Sequence, residues 1–312
     1  MAVAGPVPVI YDTDMGNDID DALALAVLHA LETRGEARLL AVTITKDNPW
    51  AAAYVDLVNT FYGRGNIPVG VVANGVTPED SPYIRIPAQQ READGSPTYP
   101  RRLRDGREAP EAVALLRRVL SEQPDGSVVI VQVGFSTNLA RLLATDRDLI
   151  ERKVKLLSVM AGQFPSGGPE YNVKMDLPAA KKLFAGWPTP IVASGFEIGE
   201  AIRFPAVSID HDFAYVQHHP IAEAYRLYMK MPYDRQAWDP TAALYAVRPG
   251  RGYFSLSPEG KITVDDSGIT HFEEVAGGKH RYLIVNEIEK AKTLEALVNL
   301  ASQPPASVGV LH

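Results

Sequence analysis

Hydrophobic and polar positions along the first two thirds of the chain alternate between short apolar runs and longer stretches with helical periodicity. The predicted strands are residues 7–12, 37–45, 67–73, 127–134, 154–162 and 189–197. The predicted helices are residues 20–35, 49–65, 108–124, 136–145 and 177–186. Helices that alternate with strands lacking a clean period of two indicate parallel strands buried on both faces. The pattern therefore predicts an α/β fold: a single open, mostly parallel, Rossmann-like β-sheet flanked by helices.

Two segments depart from this alternation. Residues 74–107 are rich in Pro, Gly, Arg and Asp, and so long a stretch without periodicity is typical of an ordered functional loop or a lid. Its arginines either form a solvated lid or contact another subunit. Residues 253–268 have the pattern of a β-hairpin that decorates the end of the fold. Because no repeat or low-complexity linker interrupts the chain, residues 1–312 are predicted to form a single domain.

Composition and charge exclude several classes of protein. The absence of cysteine excludes disulfides and zinc sites built on thiolates. A net charge of −7 argues against a nucleic-acid binder, because such proteins usually carry a basic stripe. No apolar run approaches the roughly 20 residues of a membrane span, so no membrane partner is expected. The N-terminus lacks the basic and apolar regions of a signal peptide, which predicts a cytoplasmic protein unless a secretion leader has been removed.

The turn after the first strand, DTDMGNDIDDALAL, carries an unusual density of negative charge. Its five aspartates are Asp12, Asp14, Asp18, Asp20 and Asp21. In open α/β sheets ligands bind beyond the carboxyl ends of the strands, and carboxylates this close repel one another unless a cation intervenes. Ligands that are all oxygen suit calcium or magnesium. The alternative is that Asp20 or Asp21 caps the following helix and the others are solvated.

The same stretch resembles the N-terminal signature of the inosine–uridine nucleoside hydrolase family, the calcium-dependent nucleoside N-ribohydrolases. Three further segments agree with the family in the same order: GFSTNLARLL (134–143), MAGQFPSGGPEYNVKMDLPAA (160–180) and AWDPTAALYAV (237–247). The resemblance covers about residues 7 to 250. It implies the nucleoside hydrolase fold, Ca²⁺ as cofactor, and hydrolysis of a small ribonucleoside to ribose and free base by a calcium-bound water. It also implies a homodimer or homotetramer.

The resemblance assigns roles to residues that match the family's motifs. Asp14 resembles the general base that also touches the calcium. Asp21 and Asp239 resemble metal ligands, and Thr137 would supply its backbone carbonyl to the metal. Asp12 would support these ligands from behind.

The family pattern also implies a set of residues that hold the ribose. Asp20 resembles the carboxylate that binds a ribose hydroxyl. Glu170 and Asn172 resemble the clamp on the other hydroxyls, with Met160 lining the sugar pocket. Asn48 is a weaker match to a site asparagine.

Several positions depart from the family pattern and indicate a divergent branch. Asp18 lies in two residues that are extra relative to the shortest family form. The segment between Met160 and Glu170 is shorter than usual and lacks an asparagine that binds the sugar.

Trp238 occupies the position where some members use a histidine as general acid. Purine-preferring relatives have tryptophan there and sandwich the base, so stacking on a purine is predicted; the alternative is that Trp238 only packs at a helix start. A second ring would come from Trp50, Tyr83 or Tyr225.

Two further side chains have more than one interpretation. Arg235 either reaches the leaving base or the ribose, or has a structural role. Glu197, at a predicted strand end, either supports the metal site or caps a helix.

Two other functions compete with nucleoside hydrolysis. Asp12-Thr13-Asp14 after a strand also resembles the start of a magnesium-dependent phosphohydrolase of the haloacid-dehalogenase type. A riboside-binding protein that has lost turnover would keep the metal and sugar pocket without activating the leaving group.

Overall fold

The computed structural model describes residues 5–306. Residues 1–4 of the N-terminus and residues 307–312 of the predicted domain lie outside this range. The strands are β1 Val7–Thr13, β2 Ala37–Lys46, β3 Val69–Val76, β4 Val128–Gln132, β5 Val154–Met160, β6 Ile191–Ser194, β7 Arg203–Phe204, β8 Arg235–Gln236, β9 Ser255–Leu256, β10 Gly260–Val264, β11 Thr270–Glu274 and β12 His280–Ile284. The helices are α1 Asp20–Thr33, α2 Ala51–Phe61, α3 Pro82–Gln89, α4 Ala112–Ser121, α5 Thr137–Lys153, α6 Tyr171–Met175, α7 Leu177–Gly186, α8 Phe196–Ala201, α9 Ala206–His211, α10 Pro220–Tyr228, α11 Trp238–Val247 and α12 Glu287–Ala301.

The main sheet has ten strands in the described part of the chain and confirms the predicted fold class. Its order is β11-β10-β12-β6-β5-β4-β1-β2-β3, with β9 paired to β12. The strands from β6 to β3 pair in parallel, and the antiparallel pairs lie at the β10–β11 end. One core contains residues of α1, α2, α11 and α12, and a second core contains residues of α4, α5 and α7. Helices therefore cover both faces, as the near-continuous apolar strands require.

The strand order places a ligand-binding crevice at the end of β1. From β1 the chain proceeds through β2 to β3 on one side, and then returns to β4, β5 and β6 on the other side. Such a reversal of strand order is where open α/β sheets bind ligands. Asp14 follows β1 and Val133 follows β4, so both lie at this edge. A Cβ on Gly134 would lie 2.5 Å from the backbone nitrogen of Asp14, which shows how closely the two strand ends approach.

The predicted hairpin lies later in the sequence than expected. It is formed by β10 and β11, so residues 260–274 replace the predicted 253–268. Its turn is closed by Asp265, whose Oδ1 accepts the backbone N–H groups of Ser267 and Ile269. The earlier residues Ser255 and Leu256 form β9 instead. The hairpin extends the main sheet, and the prediction missed this because strand pairing depends on distant residues.

Residues 74–107, the predicted lid, are ordered by contacts with the body of the protein. They include the end of β3, helix α3 and the start of a short 3₁₀ helix, Gly106–Glu108. The fully buried carboxylate of Asp56 on α2 accepts the backbone N–H groups of Arg102 and Leu103. Asp56 therefore fastens this segment to the helix beneath it. In residues 5–306, no helix is long and apolar enough to cross a membrane.

We expect Asp56→Ala to loosen residues 98–108 because two backbone N–H groups lose their acceptor. Hydrogen bonds to charged groups contribute about 1.5–3 kcal/mol each. Limited trypsin digestion should then cut at Arg101, Arg102 or Arg104 at protease concentrations that leave the wild type intact. Asp125→Ala, which removes an exposed carboxylate, is the control. Equal resistance of wild type and Asp56→Ala would contradict this role for Asp56.

Candidate active site

A cavity of about 380 Å³ opens at the carboxyl ends of β1, β4 and β5. Eight of the residues that the sequence singled out line it: Asp14, Asp18, Met160, Glu170, Asn172, Arg235, Trp238 and Asp239. Five lining residues were not predicted: Asn17, Val133, Tyr171, Phe196 and Tyr228. The structure thus brings three distant segments of the sequence to one place.

Asp14 is held by a chain of polar side chains that ends at a buried ammonium. Its Oδ2 accepts a hydrogen bond of 2.7 Å from Asn17 Nδ2, and Asn17 Oδ1 accepts one of 2.8 Å from Lys46 Nζ. Lys46 also donates to the carbonyl of Thr77 at 2.7 Å. Burial raises the pKa of Asp14 to about 7, although the hydrogen bond from Asn17 opposes this shift. The carboxylate is therefore fixed in orientation and poised to accept a proton near neutral pH.

Asp21 lies behind the cavity wall, at the start of α1. Thr13 Oγ1 donates to its Oδ1, while Oδ2 is buried and has no hydrogen-bond partner among the described residues. Burial, followed by the charges of Asp14 and Asp18, raises its pKa well above the ordinary value. An unpaired carboxylate oxygen in this setting is costly unless a cation reaches it.

Asp239, in the first turn of α11, extends the same acidic cluster. Burial raises its pKa well above the ordinary value, and the charges of Asp20, Asp21 and Asp18 raise it further. Carboxylate oxygens of Asp18, Asp20 and Asp239 all lie within 4.8 Å of one another. The aspartates of the turn and of the late motif thus form one cluster, although more than 200 residues separate them.

Asp18 and Asp20 differ from the rest of the cluster because Arg235 pairs with both. The guanidinium donates from Nη2 to Asp18 at 2.7 Å and from Nε to Asp20 at 3.1 Å. Asp20 Oδ2 accepts the backbone N–H of Asp239 at 3.1 Å, so both of its oxygens are engaged within the protein. Asp20 is fully buried behind the wall, and Asp18 faces the cavity in its place.

The cluster fits a hard divalent cation. Within the described residues, the carboxylates of the cluster that pair with a guanidinium are Asp18 and Asp20. The donors of Asp14, Asp21 and Asp239 are oxygens, which calcium and magnesium prefer. The unpartnered Oδ2 of Asp21 is the observation that favours these three over the group of Asp18, Asp20 and Asp239. In that second group Arg235 already supplies positive charge.

Val133, at the end of β4, lines the cavity where Thr137 was expected to contribute a carbonyl. Its carbonyl accepts a hydrogen bond of 2.7 Å from Asn172 Nδ2. Thr137 is the first residue of α5, and its hydroxyl donates to Asp176. Thr137 is not among the described residues that line the cavity, whereas Val133 is. Val133 is the penultimate residue of the predicted strand 127–134, and this position near the sheet edge was the available signal for its carbonyl.

Two other candidates have structural contacts away from the cavity. Asn48 forms a local turn, with Oδ1 accepting the N–H of Trp50 at 2.8 Å and Nδ2 donating to the carbonyl of Glu79 at 3.0 Å. Tyr225 donates to the carbonyl of Tyr233 at 2.9 Å. These contacts leave Asn48 and Tyr225 outside the wall of the cavity.

Glu197 and Asp12 support neighbouring segments. Glu197 lies in the first turn of α8, and its Oε2 accepts the N–H of Phe164 at 3.0 Å. Asp12 is fully buried, and its Oδ1 accepts hydrogen bonds from Thr43 Oγ1 and from Asn138 Nδ2 at 2.9 Å. Burial raises the pKa of Asp12 to about 7. Asp12 therefore ties β1 to β2 and α5 directly beneath the acidic turn.

Glu170 and Asn172 meet at one end of the cavity. Glu170 caps α6, accepting the N–H groups of Asn172 at 2.9 Å and Gly162 at 3.0 Å. Burial raises its pKa to about 6. Asn172 donates to the carbonyls of Val133 at 2.7 Å and Met160 at 3.2 Å. Two polar side chains are thereby fixed against the ends of β4 and β5.

Aromatic side chains form the other end of the cavity. Trp238 Nε1 donates to the carbonyl of Phe196 at 2.9 Å, and the two ring centroids lie 5.3 Å apart. Tyr171 and Phe196 are 48% and 36% exposed, so both offer ring surface at the opening. Tyr228 completes this aromatic end. The sequence predicted Trp50, Tyr83 or Tyr225 as the second ring. In the described residues, the rings that line the cavity with Trp238 are Tyr171, Phe196 and Tyr228 instead.

Comparisons with known proteins agree with this architecture. The sequence model of the inosine-uridine preferring nucleoside hydrolase family matches residues 9–299. A search of curated proteins gave no match. A plant nucleoside hydrolase has a TM-score of 0.73 and 22% identity, covering 96% of this chain and 100% of that one.

Bacterial structures are equally similar. A purine-preferring ribonucleoside hydrolase from Gardnerella vaginalis has a TM-score of 0.72 and 18% identity, covering 95% of this chain and 98% of its own. The inosine-uridine preferring nucleoside hydrolase from Bacillus anthracis has a TM-score of 0.72 and 17% identity, covering 95% of this chain and 99% of its own. These TM-scores establish a shared fold, and the family match covers nearly the whole chain. The chain therefore belongs to the inosine-uridine preferring nucleoside hydrolase family, whose members are N-glycosyl hydrolases.

Proposed function

We propose that this protein hydrolyses the N-glycosidic bond of a neutral ribonucleoside and releases ribose and free base, with Ca²⁺ as cofactor. One observation carries the proposal. Asp14 and Asp239 are buried carboxylates that line the cavity with Glu170 and Asn172, and the buried Asp21, whose Oδ2 has no partner among the described residues, lies behind the cavity wall. Family and fold support the reaction class, and these residues supply the groups that it needs.

Asp14, Asp21 and Asp239, with the carbonyl of Val133, would hold the calcium. When bound, the cation positions a water and lowers its pKa. Thr137 is replaced by Val133 in this assignment because only Val133 of the two lines the cavity.

Asp14 accepts the proton of the attacking water. Asn17 fixes the direction of its carboxylate, which lines the cavity where the water would lie. Cleavage passes through a ribosyl group with oxocarbenium character, by analogy with glycoside hydrolysis. The carboxylates of Asp14, Asp18 and Glu170 line the same cavity and would stabilise this developing positive charge.

The ribose lies at the polar end of the cavity. Glu170 and Asn172 bind its hydroxyls, and Met160 packs against the ring. Asp18 lines the cavity and takes the place first given to Asp20, which is fully buried and does not line it in the described residues.

The base lies at the aromatic end, where Trp238 stacks on a purine with Tyr171 or Tyr228 as the second ring. Four carboxylates and one guanidinium line the cavity in the described residues, so a neutral nucleoside is favoured over a 5′-phosphate.

We also propose that the chain forms a single domain, acts in the cytoplasm and assembles as a homodimer or homotetramer. It binds neither nucleic acid nor membrane. Light scattering of the purified protein tests the assembly.

Reducing-sugar release tests the function. The panel contains purine and pyrimidine ribonucleosides and their 5′-monophosphates, each with EDTA and after addition of excess calcium. Calcium-dependent release from purine nucleosides is the expected result. Binding without release would favour the riboside-binding alternative, and release of phosphate from the monophosphates would favour the phosphohydrolase.

Replacing Asp14 with asparagine should abolish hydrolysis and leave the fold intact. The amide has nearly the same shape but cannot take the proton, and loss of a general base typically costs on the order of 10²–10⁴ in rate. Initial rates of ribose release, together with circular dichroism, provide the measurement. Asp94→Asn, on an exposed turn, is the matched control. Turnover by Asp14→Asn near that of wild type would exclude Asp14 as the base.

The calcium-free protein should lose stability as pH rises. The folded-state pKa values of Asp12, Asp14 and Asp20 are raised from the ordinary 3.8 to about 7. At these three sites the folded state therefore binds more protons than the unfolded state between these values, so their contribution to the free energy of unfolding falls as pH rises from about 4 to about 7. Burial lowers the pKa of His29 and of His219 to about 3, which acts in the opposite sense below about 6.5, but the three carboxylates outweigh the two histidines. Thermal unfolding in EDTA should show a lower Tm at pH 8 than at pH 5.

Calcium should reverse this trend because it replaces the protons as the source of positive charge. The increase in Tm on adding calcium should be larger at pH 8 than at pH 5, and smaller in Asp21→Asn than in wild type. A Tm that does not respond to calcium at pH 8 would contradict the cation site.

A further inference from the structure

The departing base carries negative charge, and the carboxylates and Trp238 offer it no hydrogen-bond donor. When the bond between C1′ and the base nitrogen breaks, its electron pair leaves with the base. Trp238 holds the place where a histidine would donate a proton, and its one N–H is bonded to the carbonyl of Phe196. The aromatic end of the cavity therefore needs another donor.

We propose, on the basis of the proposed function, that Arg235 is a catalytic residue that hydrogen-bonds the departing base and stabilises its negative charge. Arg235 is the one cation among the described residues that line the cavity. It lies on β8, three residues before Trp238, and the pairing of β7 with β8 fixes its backbone beside the aromatic end. The leaving group meets this guanidinium instead of an acid.

The guanidinium lies against the rings that would hold the base. Its central carbon is 4.9 Å from the ring centroid of Trp238 and 5.2 Å from that of Tyr228. Arg235 is 8% exposed, so water competes weakly for its N–H groups. In such a setting a charged hydrogen bond is stronger than in water. A purine stacked at this end would present its ring nitrogens to the edge of the guanidinium.

Two aspartates hold the guanidinium in place and leave donors free. Nε donates to Asp20 and Nη2 donates to Asp18. Within residues 5–306, Nη1 makes no hydrogen bond, so its two N–H groups remain for a ligand. Burial lowers the pKa of Arg235, but the charges of Asp20 and Asp18 outweigh this and raise it above the ordinary value. Arg235 therefore stays protonated and donates hydrogen bonds without giving up a proton.

The reaction balances with this assignment. The oxygen of water joins C1′, and the proton of that water goes to Asp14. The electron pair of the broken bond stays on the base nitrogen, where the hydrogen bond from Arg235 stabilises it. The base takes a proton from solvent after it leaves, and Asp14 returns its proton to solvent. Ribose and the neutral base are the products.

A purely structural role for Arg235 makes a different prediction. If Arg235 only neutralises Asp18 and Asp20, its loss should slow all ribosides to the same degree. If Arg235 stabilises the leaving group, the rate decrease caused by its loss should be largest for the leaving groups that need the most stabilisation. A nitrophenolate is a stable anion and leaves unaided, whereas a purine anion is less stable and needs stabilisation in order to leave.

The experiment compares kcat/KM for inosine and for p-nitrophenyl β-D-ribofuranoside in calcium. Arg235→Lys keeps the charge but loses the planar fork. Arg235→Gln removes the charge and keeps an amide that can donate a hydrogen bond to Asp18. Arg226→Lys, an exposed pair with Asp210, is the control. Circular dichroism and Tm establish that each variant is folded.

Both Arg235 variants should lose on the order of 10²-fold on inosine, the usual cost of one lost charge-stabilising donor, and change little on the nitrophenyl riboside. An equal loss on both substrates, or no loss on inosine, would overturn the role of Arg235. Wild type that cleaves the nitrophenyl riboside establishes the hydrolase on its own. Wild type that cleaves neither substrate overturns the proposed function and this inference together.

Discussion

Repulsion among buried carboxylates at the end of β1 is the constraint on which the rest of the site depends. Asp12, Asp14, Asp20, Asp21 and Asp239 are each at most 4% exposed. At such burial the desolvation of each charge and its repulsion from the others are large compared with the net stability of a domain. The fold persists because positive charge or protons are supplied at defined points.

The positive charge comes from two sources within the chain, and each serves a different part of the cluster. Arg235 neutralises Asp18 and Asp20 on the aromatic side. Lys46 reaches Asp14 only through Asn17, and this leaves the carboxylate free on its other side. The negative charge that Arg235 and Lys46 leave unbalanced is therefore concentrated where a divalent cation would bind. Structure and chemistry use the same charges, since removing either cation would change both.

The fold followed from local pattern, and much of the site did not. Parallel strands and covering helices were predicted well because each depends on periodicity within a short window. Asp14, Glu170 and Asn172 were identified from motifs, and the structure places all three on the cavity wall. By contrast, Asn48 was chosen by sequence position alone, and its side chain closes a local turn instead.

Residues that sequence reasoning missed are those brought in by the tertiary fold. Val133 contributes through a backbone carbonyl, which carries no side-chain signature. Tyr228 ends α10 and Phe196 begins α8, and neither lies within a recognisable motif. Their approach to Trp238 depends on how helices pack over the sheet edge, which one sequence does not reveal.

The two ends of the cavity divide the work of breaking a glycosidic bond. In the proposed reaction, Asp14 and Glu170 would lie where positive charge grows on the sugar, and the guanidinium of Arg235 beside Trp238 would lie where negative charge grows on the base. A histidine in place of Trp238 would deliver a proton but would also be a second cation next to Arg235. Arginine with tryptophan avoids that repulsion, because the ring attracts the guanidinium through its face. The tryptophan and the arginine are therefore best understood as one unit, in which the ring holds the base and the cation stabilises its departure.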